Sequence, residues 1–433
     1  MDDSPRLDSQ MNSDLREGSR RLKVLVLDHE ISYPPDSGKR VRTWNLLRRL
    51  ATRHSISYLC YGRSDDPAIA KFKSAGIPVH TVHPLTDFRG WPLYFRLLIN
   101  LFSPYPYSVT KHFSRRFDRK LRQLLREERF DLVHCEGTNC ARYLNSAADV
   151  PRVLGTHNVE SQIWSRRARL ARTWIEQLFF GSQAIKMRWF ERRALLRTES
   201  AVAVTFQDAR QMRDWGVSEI TLVPNGVDLE AYQPSTEGAR PSELLFLASL
   251  DWYPNVEGLE HFLAETLPLI VSVQPNAILR IVGRRPSESL RKLVAGNRHV
   301  ELVGEVKDVR PYLASAGIVV VPLRIGGGSR LKILEALAAG KAVVATSIGA
   351  EGLELTPGEH FQLADSPSEF AQQTASLISS EEQRRRLGEN GRRLVIDRYG
   401  WDGIAATLEA AWFKALASVP AQDSLAGDRV RVS

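Results

Sequence analysis

The sequence predicts an α/β protein made of two doubly wound domains that face each other across a cleft. Three observations carry that expectation. Short β-branched runs alternate with helical patterns along most of the chain, which implies parallel sheets covered on both faces. The alternation falls into two series, broken near residues 232–241 by Pro234, Gly238 and Pro241. A chain of 433 residues is also too long for one ordinary core and suits two.

In the first series, residues 22–28 read as a buried strand. A loop with Pro34, Pro35 and Gly38 follows, then a helix over 39–51. Further strands are expected at 56–61, 79–82, 132–135, 153–155 and 201–204, with helical stretches between them. The second series has strands at 244–250, 277–282, 300–303, 318–322, 342–346 and 361–364. Its helices are expected at 256–263, 287–295, 309–314, 329–339 and 367–379. The domains so defined span 21–235 and 236–399, with a helix at 400–417. Residues 1–20 and 418–433 read as a disordered lead-in and tail.

Hydrophobic residues make up 43% of the chain and charged ones 25%, as in globular proteins. No apolar run reaches the length of a membrane span, and the first twenty residues lack the apolar core of a signal peptide. The cysteines, Cys60, Cys135 and Cys140, have no metal-ligand spacing, and their odd number argues against a disulfide framework. A reducing, cytoplasmic location is expected. Residues 1–200 hold 35 Lys and Arg against 21 Asp and Glu, whereas residues 201–433 hold 24 against 29. Such asymmetry suits nucleic acid or an anionic membrane surface. No RNA-binding motif accompanies it, so no nucleic-acid partner is expected.

Two basic-aromatic stretches, 88–102 and 161–197, lie in the basic half; the second has nine Lys and Arg against two Glu. Both resemble amphipathic segments that lie on an anionic bilayer, which would place the protein at the inner face of the cytoplasmic membrane. The plainer reading is that their aromatic residues pack inward and their arginines face water.

The densest chemistry lies at Arg324-Ile325-Gly326-Gly327-Gly328-Ser329-Arg330-Leu331-Lys332-Ile333-Leu334-Glu335, between the strands at 318–322 and 342–346. Three glycines let backbone approach a ligand closely, and Ser329 is a suitable helix N-cap. A helix start attracts phosphate. Arg330 and Lys332 put positive charge in the first turn, where acids are usual, and this points to a bound anion. Glu335 lies three residues past Lys332 on nearly the same face, where a carboxylate can accept hydrogen bonds from a neutral hydroxylated group such as a ribose.

Two nucleotide motifs are excluded. Gly38-Lys39 has Tyr33 and Arg40 where a phosphate loop needs glycine and a hydroxyl residue. Leu331 occupies the place of a dinucleotide fingerprint's third glycine. No Asp-x-Asp pair occurs, so fixed positive groups must replace a metal; no metal and no cofactor are expected. His157 follows the strand at 153–155 and is placed to donate a hydrogen bond into the cleft. It could equally cap the next helix, and the same holds for His134 and Glu136.

Taken together, these residues resemble the retaining glycosyltransferases of GT-B fold in family 4, the glycosyl transferases group 1, over roughly residues 22–412. The strongest markers are Val223-Pro224-Asn225-Gly226-Val227-Asp228 and the segment from Gly327 to Gly340 around Leu334-Glu335-Ala336. Asp251-Trp252-Tyr253-Pro254-Asn255, Ile281-Val282-Gly283, Gly304 and Asp308-Val309-Arg310-Pro311-Tyr312 support them, as do Gly38 and Thr156-His157-Asn158.

The resemblance implies a nucleotide-diphosphate sugar donor bound mainly by the second domain. A glycan or lipid-linked acceptor would be bound by the first, and the 400–417 helix would cross back to it. It implies donor contacts from Gly38, Gly283, Gly326, Gly327, Gly328, Ser329 and Glu335, with His157, Arg330 and Lys332 at the reacting centre. Glu335 matches the second Glu of the family's Glu-x7-Glu signature, but Gly327 stands where the first would be. The donor sugar must then be read by other groups or by backbone amides. Two other readings remain open: a sugar-nucleotide epimerase of the same fold, and an inactive scaffold that binds membrane or RNA.

Overall fold

The computed structural model describes residues 20–83, 90–169, 171, 173–235, 238–325 and 331–418. The first sheet contains β1 (Lys23–Asp28), β2 (Ser55–Tyr61), β3 (Val79–Val82), β4 (Leu132–Glu136), β5 (Arg152–Gly155), β6 (Ser200–Ala203) and β7 (Ile220–Leu222). Its order is β3-β2-β1-β4-β5-β6-β7. The second contains β8 (Arg240–Leu247), β9 (Ile278–Val282), β10 (Val300–Gly304), β11 (Ala316–Val321), β12 (Ala342–Ala345) and β13 (Gln362–Leu363), in the order β10-β9-β8-β11-β12-β13. All the strand pairings are parallel. Strand order reverses between β1 and β4 in one sheet and between β8 and β11 in the other. Open α/β sheets bind ligands at the carboxyl ends of strands beside such reversals.

Strict alternation of apolar side chains builds a core on each face of each sheet. In β1, Leu25 and Leu27 pack on one side while Val24 and Val26 pack on the other. In β8, Leu245 and Leu247 oppose Leu244 and Phe246 in the same way. The helix Trp401–Ala417 completes a core of the first sheet with Trp401, Leu408 and Trp412, all buried. Arg49 reaches Asp402 at 2.6 Å and His54 reaches Glu409 at 2.7 Å, fixing this helix to the first sheet's layer.

Two crossings between the sheets run side by side. Val227 donates its amide to Tyr399 O at 2.8 Å, and a Cβ on Gly226 would come within 2.8 Å of the Trp401 ring. Arg42 holds Pro224 O at 2.7 Å, and Arg48 pairs with Asp228 at 3.3 Å.

The inward packing expected of the aromatic stretches is not what the helices show. In the helix Trp91–Leu101, Trp91, Tyr94, Phe95 and Leu98 are all mainly exposed. In Trp174–Leu195, Phe190 is buried but Trp174 and Trp189 face water. The three-residue β7 and the helix Glu381–Arg398 were also absent from the expectation. Strand β8 starts at Arg240, inside the segment read as a linker.

Candidate functional site

At the carboxyl end of β1, the buried Asp28 collects four donors. Lys39 Nζ lies 2.5 Å from its Oδ1, and the His29 amide 2.6 Å; Tyr58 OH and Ser32 Oγ lie 2.6 and 2.9 Å from Oδ2. Burial works to lower the Lys39 pKa, but Asp28 and Glu30 outweigh it and raise it. The ammonium therefore stays charged and ties the first turn of the helix Gly38–Leu50 back to the strand. That helix has no side-chain cap and no acid in its first turn. A Cβ on Gly38 would lie 3.5 Å from Leu331 Cδ1, so this turn faces the start of the helix Leu331–Ala338 in the second layer. Asp36 in the same loop meets Arg284, just past β9, at 3.3 Å.

The neighbouring strands supply the second group. Glu136 ends β4, opposite Gly155 of β5, where an added Cβ would crowd the carboxylate at 3.3 Å. Trp412 Nε1 donates to His134 Nδ1 at 3.3 Å. An indole only donates, so the His134 proton sits on Nε2, which donates to Glu136 Oε2 at 2.7 Å. Thr43 donates to Oε1 at 3.2 Å. Burial would raise the Glu136 pKa, but the His134 hydrogen bond, then the nearby His157 and His134 rings and Arg42, overcome it and hold the carboxylate well below its usual range.

His157, two residues past β5, brings Nε2 to 3.4 Å from Glu136 Oε1. That atom is buried and has no hydrogen-bond partner among the described residues. Burial pushes the His157 pKa down to about 4 against the opposing pull of Glu136, so the ring is neutral at pH 7.

Across the cleft, Glu335 and Lys332 lie on Leu331–Ala338, which follows β11. Lys332 Nζ donates to Asn255 Oδ1 at 2.9 Å and sits 5.3 Å from the centre of the Phe246 ring. Burial pushes the Glu335 carboxyl up to about 7, opposed by a hydrogen bond with Tyr232 and by Lys332. Gly283 directly follows β9, and a Cβ there would lie 1.8 Å from Ala248 O; a close approach of two backbones requires glycine. Gly326, Gly327, Gly328, Ser329 and Arg330 lie outside the described residues.

The structure thus sets Gly38 and His157 past strands of the first sheet and Lys332 and Glu335 on the helix after β11, with contacts across the cleft from Gly38 to Leu331 and from Asp36 to Arg284. Sequence reasoning passed over Asp28, Trp412 and Tyr232, and left Glu136, like His157, between a site residue and a helix cap. Asp28 and Glu136 had one available signal: each is an acid closing a mostly apolar strand. Among the described residues, no group of three or more His, Cys, Asp and Glu side chains is arranged to hold a metal ion.

A model of Glycosyltransferase Family 4 matches residues 37–231, and one of Glycosyl transferases group 1 matches 241–380. The MMP alpha-(1->4)-mannosyltransferase of Mycolicibacterium hassiacum is 28% identical over 310 residues, covering 67% of this chain and 72% of its own. The phosphatidyl-myo-inositol mannosyltransferase of Mycobacterium leprae is 30% identical over 201 residues, covering 44% of this chain and 52% of its own. Among solved structures, the sucrose-phosphate synthase of Thermosynechococcus elongatus superposes with a TM-score of 0.70 at 17% identity, covering 92% of this chain and 100% of that one. Anabaena HepE, in complex with UDP and glucose, gives 0.64 at 13% identity, covering 90% and 99%. At those identities the structures speak for the fold alone, and that fold is GT-B. Matched in both halves by its models, the chain belongs to glycosyltransferase family 4, the glycosyl transferases group 1, and is a glycosyltransferase.

Proposed function

We propose that the protein moves a hexose from a nucleoside-diphosphate sugar to the hydroxyl of a glycan or lipid-linked acceptor. It does so with retention of anomeric configuration, without a metal ion, and from the cytoplasmic face of a membrane that it touches peripherally. The observation that carries the reading is the pairing across the cleft. The Gly38 turn, beside the first sheet's reversal, lies against Leu331, the first residue of the helix that carries Lys332 and Glu335, and His157 stands beside Glu136 at the end of β4. The mannosyltransferase names of two relatives make mannose the first sugar to try.

In this reading Glu335 accepts hydrogen bonds from the ribose. Lys332 and the open start of Gly38–Leu50 face the diphosphate, where charge grows as the anomeric C–O bond breaks. Arg330 and the Gly326–Ser329 amides are assigned the same role from sequence. The acceptor hydroxyl attacks from the face the diphosphate leaves, which gives retention. His157, neutral at pH 7, is a hydrogen-bonding partner of the donor sugar or acceptor and not a fixed cation. With no carboxylate at Gly327, His157 and backbone groups must read the sugar.

A thermal-shift screen of UDP, GDP, ADP and their sugar conjugates, followed by transfer assays with EDTA present, tests this. The expected result is stabilisation by one nucleotide series and an acceptor-dependent product whose anomeric coupling matches the donor's. Isomerisation of donor with no acceptor would replace this reading with the epimerase. No stabilisation by any nucleotide would leave the scaffold reading.

A further inference from the structure

The helix Trp91–Leu101 and the residue after it carry Trp91, Tyr94, Phe95, Leu98, Ile99 and Phe102, spaced i, i+3, i+4, i+7, i+8 and i+11. That spacing makes one apolar face, which a surface helix normally turns to its core. Here the face is turned outward: Trp91 is 87% exposed and Phe102 88%. The helix is held instead by its polar side. Asn100 is buried, donates to Tyr105 O at 3.1 Å and Thr110 Oγ1 at 3.2 Å, and accepts from Gln183 Nε2 at 3.1 Å.

The helix Trp174–Leu195 is apolar on two sides. Met187, Phe190 and Leu195 enter the core, while Trp174, Leu178, Ile185 and Trp189 form an exposed stripe at i, i+4, i+11 and i+15. Lys186 on this helix donates to Asn100 O at 2.7 Å and Leu101 O at 2.9 Å, which ties the end of Trp91–Leu101 to the middle of the second helix. Monomeric proteins rarely leave contiguous apolar patches beyond a few hundred Å² open to water.

Glu176 is exposed at the start of the second helix, but the cleft at the other end of its stripe is basic. Arg142, Arg193 and Arg197 line a cleft with Trp189 at the carboxyl end of the second stripe. Arg142 stacks 3.7 Å from the centre of the Phe113 ring, and Arg193 lies 5.2 Å from that of Trp189. Among the described residues none of these three arginines pairs with a carboxylate, whereas Arg152 in the same cleft is taken by Glu199 at 2.8 Å. One of the two Glu residues in the 161–197 segment, Glu191, is buried and accepts the Glu160 and Ser161 amides.

We propose that the face made by Trp91–Leu101 and Trp174–Leu195 seats on an anionic phospholipid bilayer. Its aromatic and aliphatic side chains enter the headgroup boundary, and Arg142, Arg193 and Arg197 take lipid phosphates. A second copy of the chain fits less well, because a symmetric contact would set arginine against arginine. The inference deepens the membrane contact of the proposed function. Glu191 joins the docking helix to the start of Glu160–Arg169, the helix that follows His157, so a seated face holds the acceptor side of the cleft near lipid.

The test is co-sedimentation of the full chain with phosphatidylcholine vesicles, with and without phosphatidylglycerol, at low and high salt. Binding is expected only to the anionic vesicles and is expected to weaken with salt. A Trp91→Glu/Phe95→Glu variant should lose it, and Arg193→Glu/Arg197→Glu should weaken it about tenfold or more. Both variants alter exposed side chains, and their nucleotide thermal shift should match the unaltered chain's. Equal vesicle binding by both variants, or none by the unaltered chain at low salt, overturns the proposal. So does light scattering that shows a dimer broken by the Trp91 and Phe95 substitutions without vesicle binding. If instead the unaltered chain binds vesicles and no nucleotide, the transferase reading fails while this one stands.

Discussion

Glu136 and Glu335 are both carboxylates set behind the carboxyl edge of a parallel sheet, yet their surroundings pull them in opposite directions. Glu136 meets His134, Thr43 and Arg42, and ionises well below the usual range. Glu335 has Tyr232 and Lys332 for company, and burial still lifts it to about 7. The first carboxylate is completed by the protein; the second has only Tyr232 and Lys332 among the described residues, and under the proposed function a bound ribose supplies further donors. On that proposal the first-sheet half of the site is built in advance, whereas the second-sheet half is finished by its ligand.

The largest expected effect breaks the completed half. Glu136→Ala leaves His134 and Arg42 facing an emptied polar site and should lower stability by about 3–5 kcal/mol in urea unfolding. Glu136→Gln should recover most of that loss.

The next effect reads His157 through pH. Its folded pKa of about 4 lies below the ordinary 6.5, so on acidification the unfolded chain takes up the proton first. Stability should be lost as pH falls from 6.5 to 4, by at most about 3 kcal/mol from this residue. A His157→Gln variant should show a shallower fall over that window. An identical slope in both chains would remove the assignment. Smallest is Trp412→Phe, which deletes one hydrogen bond to His134 and should cost about 1 kcal/mol. If it also shifted the pH profile of transfer, the His134 tautomer would be shown to matter to His157.

The same contrast explains what could be read in the sequence. Alternating runs such as Val24–Leu27 and the β11 valines declare buried parallel strands, because both faces are covered. The Glu381–Arg398 helix hides, because its many charges and Gly388 and Gly391 obscure an apolar stripe. Those glycines let it lie on the backbone of its neighbours: a Cβ on Gly388 would strike Gly340 O at 2.1 Å. Periodicity also shows that a helix has an apolar face without showing what covers it. Trp401 and Trp91 each begin an apolar helix, yet one is 2% exposed and the other 87%. In the candidate site, Lys332 and Glu335 stand out from local chemistry, while the glycine segment beside them lies outside the described residues. The Trp412–His134–Glu136 chain does not stand out, because its members lie 278 residues apart and meet only through the fold.

The central claim is that Glu335 waits for a ribose, and calorimetry tests it most directly. The nucleoside diphosphate giving the largest thermal shift is titrated into the unaltered chain and into Glu335→Gln between about pH 5 and 8. The unaltered chain should bind more tightly above pH 7 and lose affinity by up to about tenfold per unit below it, as the carboxylate becomes protonated. Glu335→Gln should bind more weakly at pH 8 and show no such slope. Equal affinities and equal slopes in the two chains would contradict the account.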